Sequence, residues 1–307
     1  MDTGFAAIDI GSNSTNLLIT NNAGETLERI VRSTRLGAGL TKTGLLSPES
    51  IAQTVLCIAD YAAIIKNYGV TDKRIVATAA CRMAKNTSEF FEKVKAVSGM
   101  TPELISGEQE GALAYLGATI SFSELPKKQF LVIDIGGAST ELMIGSESLI
   151  TAVSIPYGAV TVSESELHRD PPRPEELTNA ISLVSDAIDD VVHMHPEFAS
   201  ADQIIGIAGT IVTVAAVELG LKQFDSDKLH AMCLRRGAVE DVFRTLATEP
   251  LADRVFNPGL PRDRAEIIVG GCCVLVAVMR RLQISELIVS QHNLLDGIIE
   301  SLRNKKL

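Results

Sequence analysis

The chain has 307 residues, of which 46% are hydrophobic and 21% are charged, and this composition excludes a mostly disordered protein. At about 150 residues per domain, the length predicts two domains. The formal net charge of -10 and the aromatic content of 4% argue against a nucleic-acid-binding protein, which usually has a basic face and stacking side chains.

The sequence also argues against export and membrane insertion. Its N-terminus has no basic region followed by an apolar stretch, so we expect no signal peptide. The longest nearly apolar run, residues 267–279, is shorter than the roughly 18 residues that a membrane span needs. None of the five cysteines has CxxC spacing, so they predict buried thiols in a reducing cytoplasm rather than a zinc or redox site.

A twelve-residue pattern occurs twice, 125 residues apart. Residues 8–19 read IDIGSNSTNLLI and residues 133–144 read IDIGGASTELMI, with eight identical positions. Each copy predicts a β-hairpin with a Gly/Ser turn, built from strands at 5–10 and 17–20 and at 130–135 and 142–144. The N–H groups of such a turn can bind an anion, and an aspartate at the tip of the first strand can hold a divalent cation beside it.

Helices and strands are predicted to alternate through the rest of the chain. Apolar spacing predicts helices at 51–68, 88–98, 106–117, 174–192, 264–282 and 294–302, and strands at 74–78, 102–105, 150–155, 204–208 and 286–290. Ser106 and Gln109 have the spacing of a capping box at the start of the third helix. The alternation predicts an α/β architecture with covered sheets, and the polar residues 121–128 are expected to form a linker.

The duplicated hairpins resemble those of the actin, Hsp70 and sugar kinase superfamily. Within it, the chain resembles the exopolyphosphatase and guanosine pentaphosphate phosphohydrolase (Ppx/GppA) family through a series of motifs in family order. They are AIDIGSNS (7–14), RLGAGLTKTGLLS (35–47), ATAACR (77–82), SGEQEG (106–111), DIGGASTEL (134–142), SIPYGAV (154–160), AGT (208–210), LPRDRAEIIVGG (260–271) and LLDGI (294–298).

This resemblance implies an α/β fold of two homologous actin-like, ribonuclease H-like domains around an interdomain cleft. The expected domains are residues 1–122, completed by the C-terminal helix 294–307, and residues 123–293. A hinge in the linker would let the cleft close on a ligand. The chain departs from the family pattern at Ala138, where a third glycine is usual, at Gln109, where an acid is usual, and at His292, where glycine is usual.

The family's chemistry is hydrolysis of a terminal phosphoanhydride. Glu110 aligns with the catalytic glutamate that orients or deprotonates water, although Glu108 and Glu110 could instead only complement a helix N-terminus. Arg82 follows a run of small residues and is expected to contact phosphate; the alternative is a surface ion pair.

Three carboxylates are candidate Mg²⁺ ligands. Asp134 and Glu141 are seven residues apart across the second turn, a spacing that can bring both to one side, and Asp9 is the symmetric residue of the first hairpin. Mg²⁺ needs only one or two carboxylates besides water and phosphate oxygens. The alternative is that each aspartate binds the amides of its own turn.

Phosphate binding is expected at the two turns and at a third site. Backbone N–H groups and hydroxyls would bind phosphate at Ser12, Asn13, Ser14, Gly136, Gly137, Ala138 and Ser139, with Gly209 and Thr210 as the superfamily's third phosphate contact. Arg35 and Lys42 are expected at the rim.

The resemblance therefore predicts a cytoplasmic, Mg²⁺-dependent exopolyphosphatase that releases orthophosphate from the end of inorganic polyphosphate. The alternatives are hydrolysis of guanosine pentaphosphate to the tetraphosphate, a sugar or acetate kinase, and a non-enzymatic module that binds guanosine tetraphosphate. Inhibition by guanosine tetraphosphate and a homodimer are further expectations. Long family members carry an additional C-terminal helical domain, and this sequence ends at Leu307, so we expect a preference for short polyphosphate and distributive cleavage.

Overall fold

The structure is a computed structural model that describes residues 4–122, 128–146 and 148–304. The chain divides into two compact units, residues 1–117 with 293–307, and residues 118–292. The C-terminal helix thus belongs to the first unit, and the division falls in the last turn of a helix rather than after residue 122. Most of the predicted linker, residues 123–127, lies outside the described residues.

The first unit is a sheet covered by helices on both faces. Its strands are β1 (Phe5–Ile10), β2 (Ser14–Thr20), β3 (Thr26–Ser33), β4 (Asp72–Ala77) and β5 (Glu103–Leu104), and its helices are α1 (Leu40–Thr43), α2 (Pro48–Asn67), α3 (Ala79–Met83), α4 (Thr87–Ser98), α5 (Gly107–Thr119, which runs past the division) and α13 (Leu294–Asn304). Within the described residues, the strand order is β3-β2-β1-β4-β5, with β1 antiparallel to β2 and parallel to β4.

The second unit repeats this arrangement and extends it. Its strands are β6 (Phe130–Ile135), β7 (Thr140–Gly145), β8 (Leu149–Ile155), β9 (Gln203–Ile207), β10 (Cys233–Arg235) and β11 (Glu286–Val289), and its helices are α6 (Ala159–Glu166), α7 (Pro174–Met194), α8 (Ala208–Glu218), α9 (Ser226–Leu229), α10 (Arg236–Thr248), α11 (Leu251–Arg254) and α12 (Ile268–Arg281), with 3₁₀ turns at Ile120–Phe122, Pro196–Ala199 and Arg262–Arg264. In the described residues the order is β8-β7-β6-β9-β11-β10.

The two sheets share one topology, which confirms the predicted fold of two actin-like, ribonuclease H-like domains. In each unit a hairpin continues into a third antiparallel strand, and the first hairpin strand pairs on its other side with a parallel strand. Each unit has its own apolar core, and the almost completely buried helix α12 packs against α6, α7 and α10 in the second.

Strand β3 was not predicted, because its sequence lacks a regular apolar alternation. Its charged residues bind helices on the two faces of the sheet: Arg29 pairs with Asp296 of α13, and Arg32 pairs with Asp60 of α2. Successive side chains of a strand point to opposite faces. The strand therefore contacts the helices on both faces of the sheet through ion pairs, where apolar side chains would be expected.

The helix predicted over 264–282 is wrong at its start. Residues 262–264 form a 3₁₀ turn, and α12 begins only at Ile268. The buried guanidinium of Arg254 explains the delay, because its Nη1 donates to the carbonyl oxygen of Ala265 (3.1 Å), which a regular helix would use internally.

The cysteines and the helices can be compared with the sequence-based expectations of buried thiols and of no membrane span. All five cysteines lie among the described residues and none is in a disulfide, but Cys233 is exposed, so the expectation that the thiols are buried is wrong there. In the described part of the chain, no helix is both long and apolar enough to cross a membrane.

Helix α13 packs against α5 through backbone contact in the first unit. A Cβ atom added at Gly297 would lie 1.8 Å from the carbonyl oxygen of Leu113, and one added at Gly117 would lie 2.0 Å from that of Asn293. Only glycine at both positions allows this approach.

We predict that Gly297→Ala lowers the free energy of unfolding by about 2 kcal/mol, because the new methyl group overlaps a backbone carbonyl that cannot rotate away. Urea denaturation followed by circular dichroism measures the change. Gly237→Ala is the matched control: it lies in helix α10 with no atom within 4 Å of the added Cβ, so it should be neutral or slightly stabilising. Equal midpoints for the two variants would contradict the packing.

Candidate functional site

The predicted site residues divide into two groups, one on each unit. The group on the first unit is Asp9, Ser12, Asn13, Ser14, Arg82 and Glu110. The group on the second unit is Asp134, Gly136, Gly137, Ala138, Ser139, Glu141, Gly209 and Thr210. The predicted rim residues Arg35 and Lys42 are exposed on the first unit.

The aspartate of the first hairpin is paired with an amide. Asp9 lies opposite Asn16 in the β1–β2 register, and Asn16 Nδ2 donates to Asp9 Oδ2 (3.0 Å). The other oxygen, Asp9 Oδ1, is buried and has no hydrogen-bond partner among the described residues. Burial raises the pKa of Asp9 to about 7; the hydrogen bond from Asn16 opposes this, and the charge of Glu110 adds to it. The unsatisfied oxygen is suited to a proton or a cation.

The first turn is closed by a backbone hydrogen bond and contains a buried side-chain donor. The N–H of Gly11 donates to the carbonyl oxygen of Ser14 (3.0 Å), which closes the turn. Ser12 and Asn13 are both buried, and Asn13 Nδ2 has no hydrogen-bond partner in the described structure. A buried side-chain donor without an acceptor is unusual in a folded protein, and an anionic ligand would satisfy it.

Glu110 and Arg82 form a buried ion pair in the first unit. Arg82, in α3 after strand β4, donates from Nη1 to Glu110 Oε2 (2.6 Å) and to the carbonyl oxygen of Ile105 (3.1 Å). Glu110 is only 8% exposed. Burial raises its pKa, and the charge and hydrogen bond of Arg82 oppose this effect. The pair is therefore not a solvated surface pair, which was the alternative interpretation of Arg82.

A capping box fixes the first turn of α5 and with it Glu110. The N–H of Ser106 donates to Gln109 Oε1 (3.0 Å), and the N–H of Gln109 donates to Ser106 Oγ (3.1 Å). This confirms the predicted motif. It also explains why Gln109 can replace the acid that is usual in the family, because an amide oxygen accepts the same hydrogen bond as a carboxylate oxygen.

The second hairpin brings two carboxylates together, as their spacing predicted. Asp134 and Glu141 are directly opposite in the antiparallel β6–β7 register, so their side chains lie on one face. They are 8% and 2% exposed, and Ser154 Oγ donates to Glu141 Oε1 (2.7 Å). Two neighbouring buried carboxylates are oxygen donors of the kind that Mg²⁺ prefers. Among the described residues, no group of three or more His, Cys, Asp or Glu could hold a metal, so phosphate and water would have to complete its coordination.

Ala138 does not distort the second turn. The N–H of Gly136 donates to the carbonyl oxygen of Ser139 (3.0 Å), as Gly11 and Ser14 do in the first copy. Ala138 is buried and does not have the positive φ that would favour glycine. The substitution of alanine for the family's usual glycine therefore costs no backbone strain here.

Gly209 and Thr210 lie at the junction of β9 and α8 in the second unit. The preceding residue, Ala208, has φ +66°, a strained backbone conformation for alanine. A Cβ atom added at Gly209 would lie 2.1 Å from Nη1 of Arg264, so the guanidinium rests directly on the glycine backbone. Burial lowers the pKa of Arg264, the neighbouring Asp263 opposes this, and no described residue forms an ion pair or hydrogen bond with its guanidinium.

Two consecutive glycines of α12 hold this region together. A Cβ atom added at Gly270 would lie 2.3 Å from Ser163 Oγ and 2.8 Å from the carbonyl oxygen of Ala159, at the start of α6. One added at Gly271 would lie 2.6 Å from Cγ2 of Thr210, in the first turn of α8. The absence of side chains at these two positions thus allows the N-termini of α6 and α8 to lie close to the backbone of α12.

Comparison with known proteins places the chain in a family. The model of the Ppx/GppA phosphatase family matches residues 17–306. The chain belongs to this family. It is 32% identical over 316 residues to "Exopolyphosphatase 2" of Mycobacterium tuberculosis, with 98% of each chain covered. It is 30% identical to a guanosine-5'-triphosphate,3'-diphosphate pyrophosphatase of Pseudoalteromonas atlantica, with 96% of this chain but 58% of that relative covered.

Solved structures of Ppx/GppA proteins have the same fold. An exopolyphosphatase-like protein superimposes with a TM-score of 0.94 at 30% identity, and 99% of each chain is covered. A family member from Aquifex aeolicus superimposes with a TM-score of 0.79 at 30% identity, covering 99% of this chain and 98% of that one.

Sequence reasoning missed Arg264 in this Ppx/GppA protein. It belongs to the motif LPRDRAEIIVGG, which carried the resemblance without a role being given to any of its residues. The sequence predicts a helix over 264–282, and this pattern does not distinguish Arg264 from the other helical residues. The structure shows its half-buried guanidinium on Gly209, without an anionic partner among the described residues.

The third departure, His292, lies outside both turns. Its Nδ1 is hydrogen-bonded to Ser121 Oγ (2.5 Å), and its ring is 5.1 Å from that of His230.

We predict that Asp9→Asn stabilises the metal-free protein in a pH-dependent way. The folded-state pKa of Asp9, about 7, lies well above the ordinary value of an aspartate, so the folded state binds the proton more tightly than the unfolded state. Stability contributed by that proton is therefore lost as the pH rises from about 4 to about 7. In EDTA, the Tm of Asp9→Asn should exceed that of the wild type by several degrees at pH 8 and by little at pH 4. A difference independent of pH would show that Asp9 is not protonated near neutrality.

Proposed function

We propose that this Ppx/GppA protein is an exopolyphosphatase, which hydrolyses the terminal phosphoanhydride of inorganic polyphosphate and releases orthophosphate. The observation that carries the proposal is the buried Glu110, fixed by Arg82 and by a capping box on the first turn of α5. A carboxylate that is buried and oriented in this way is suited to act on water rather than to stabilise a surface. The full-length similarity to an exopolyphosphatase supports the choice of polymer.

In the proposed reaction, Glu110 accepts a proton from the attacking water. The water oxygen forms a bond to the terminal phosphorus as the bridging P–O bond breaks, and the shortened chain leaves with the bridging oxygen. The raised pKa of Glu110 makes its carboxylate a stronger base than an exposed glutamate. Arg82 holds the carboxylate in place, and its guanidinium is suited to bind phosphate oxygens.

The second unit has its own candidate phosphate-binding turn and candidate cation ligands. We assign Asp134 and Glu141 to Mg²⁺, because both are buried oxygen donors, and Asp9 is a separate candidate cation ligand of the first unit, because its buried Oδ1 has no partner among the described residues. When bound, Mg²⁺ would neutralise charge on the phosphate oxygens. The turn at 136–139, Thr210 and the unpaired guanidinium of Arg264 would bind the phosphates themselves.

Guanosine pentaphosphate is the second candidate substrate, since the chain is also similar to a guanosine-5'-triphosphate,3'-diphosphate pyrophosphatase. Both substrates end in the same phosphoanhydride, so the proposed base and phosphate ligands suit either. Phosphate release from tripolyphosphate, long polyphosphate and guanosine pentaphosphate, measured side by side as kcat/KM, decides between them. Faster turnover of the nucleotide would overturn the choice of polymer.

We predict that Glu110→Gln lowers kcat at least a hundredfold, equivalent to about 2.7 kcal/mol of activation free energy, because the amide keeps the size of the side chain but cannot accept the proton. Phosphate release from tripolyphosphate measures the loss. Glu108→Gln is the matched control, since Glu108 is exposed on the same helical turn and should retain wild-type activity. A Glu110→Gln enzyme within threefold of wild type would remove Glu110 from the mechanism.

We also predict that EDTA abolishes phosphate release and that Mg²⁺ restores it. Asp134→Asn should raise the Mg²⁺ concentration for half-maximal activity about tenfold or more, because an amide is a weaker ligand than a carboxylate. Asp202→Asn is the control, since Asp202 lies beside the other end of β6, where its Oδ2 accepts a hydrogen bond from the N–H of Gln129 (2.9 Å). Full turnover in excess EDTA would contradict the assignment of the cation.

A further inference from the structure

The motif SIPYGAV contributed to the resemblance without a function for its residues, and the structure places its last residues against the second turn. The N–H of Ala159 donates to the carbonyl oxygen of Gly136 (2.9 Å), and the N–H of Val160 donates to that of Gly137 (2.7 Å). At the other end of the turn, Thr140 Oγ1 donates to the carbonyl oxygen of Tyr157 (2.7 Å). The start of α6 thus occupies the carbonyl side of the turn.

Thr161, the residue directly after the motif, completes these contacts. Its buried hydroxyl oxygen accepts a hydrogen bond from the N–H of Gly158 (2.8 Å). The same oxygen lies 3.3 Å from the carbonyl oxygen of Ala138 and 3.2 Å from that of Gly158, and its proton can be donated to either. The hydroxyl is therefore the one side-chain group among these contacts that links α6 to the carbonyl of Ala138.

Gly158 allows backbone to lie directly on backbone at this point. A Cβ atom added there would lie 2.6 Å from the carbonyl carbon and oxygen of Gly137 and 2.7 Å from the nitrogen of Ser139. Behind α6, Gly270 gives α12 the same close approach to Ala159. The first turn of α6 is therefore held between α12 and the turn at 136–139.

The contacts of the carbonyls also determine where the N–H groups of the turn point. In a planar trans peptide, the C=O of one residue and the N–H of the next point in opposite directions. Backbone hydrogen bonds from α6 fix the carbonyls of Gly136 and Gly137, and the hydroxyl of Thr161 fixes a third peptide plane when it donates to the carbonyl of Ala138. They direct the N–H groups of residues 137, 138 and 139 away from α6. No described residue accepts a hydrogen bond from these three N–H groups, so they remain available to an anion.

In the first unit the carbonyls of the turn are also held by hydrogen bonds, but from the segment 34–37 rather than from a helix. There the N–H groups of Thr34 and Arg35 donate to the carbonyl oxygen of Asn13 (3.0 and 2.9 Å), and the N–H of Gly37 donates to that of Ser12 (2.7 Å). Arg35 adopts φ +51° to make this contact, a conformation that costs a non-glycine residue about 1 kcal/mol or more. Two unrelated elements thus fix the carbonyls of the two copies of the turn.

We propose that Thr161 is a positioning residue, whose hydroxyl holds the peptide plane between Ala138 and Ser139 so that the N–H of Ser139, together with those of residues 137 and 138, faces a substrate phosphate. The inference rests on the proposed function of this turn as a phosphate-binding loop. Thr161 does not touch the phosphate and acts through the carbonyl of Ala138 and the N–H of Gly158.

The test compares Thr161→Val, which removes the hydroxyl at nearly constant volume, with Thr161→Ser, which keeps it. For hydrolysis of inorganic tripolyphosphate, Thr161→Val should raise KM about tenfold and change kcat less than threefold, because a phosphate-binding contact present before and during the reaction is weakened. Thr161→Ser should restore KM to within twofold of wild type. Thr213→Val is the control, a buried threonine of α8 in the same unit.

Two kinetic outcomes overturn the proposal. One is a wild-type KM for Thr161→Val. The other is an equal defect in Thr161→Ser, which would mean that the shape of the side chain matters and its hydroxyl does not. If the wild-type protein released no phosphate from any substrate, the proposed function would fail, and the same variants would be compared by calorimetric binding of tripolyphosphate, with the same two overturning outcomes.

A measurement on the wild-type protein keeps the proposal testable even if Thr161→Val does not fold. Titration with tripolyphosphate, followed by amide NMR in EDTA, should shift the N–H signals of residues 137, 138 and 139. The N–H of Gly136, which donates to Ser139 within the turn, should shift less. Unchanged signals for all three amides at saturation would overturn the inference.

Discussion

A turn that binds an anion through its backbone N–H groups must place its carbonyl oxygens somewhere else, because every peptide unit carries both groups on opposite sides. Left unpaired, the carbonyls would lie close to the anion or be buried without a partner, and either is unfavourable. Both copies of the duplicated hairpin meet this constraint. The carbonyls are fixed by the strained turn at 34–37 in the first unit and by α6 in the second. The glycines of α12 support these contacts, because they allow α12 to pack closely against the start of α6.

The second constraint is the burial of charge in a chain whose net charge is already -10. Acidic side chains of the candidate site have different hydrogen-bond donors: an amide for Asp9, a guanidinium for Glu110 and a hydroxyl for Glu141. Asn16 occupies the position in the first hairpin that Glu141 occupies in the second, so the two copies differ at the residue directly opposite the aspartate. One hairpin has an aspartate with an amide donor, and the other has two neighbouring carboxylates.

The sequence predicted the features that local patterns determine. The duplication gave both hairpins and the cross-strand pairing of Asp134 with Glu141, and the Ser106–Gln109 spacing gave the cap of α5. Strand β3 and helix α6 could not be predicted in this way. The charged residues of β3 are neutralised by helices distant in sequence, and α6 is short and follows a glycine. The position of Arg264 could not be predicted for a similar reason, because its guanidinium packs on Gly209, 55 positions earlier in the chain.

Helix α13 belongs to the first unit although it is made after every residue of the second. Gly117 of α5 contacts Asn293 and Gly297 of α13 contacts Leu113, all within that unit, and α13 also packs against β1, β2 and β4. During synthesis, residues 118–292 are therefore complete and able to fold while the sheet of the first unit still lacks this covering helix. The first unit can therefore be completed only after the second unit has been translated. The face of the N-terminal sheet on which α13 packs lacks this helix until α13 itself leaves the ribosome.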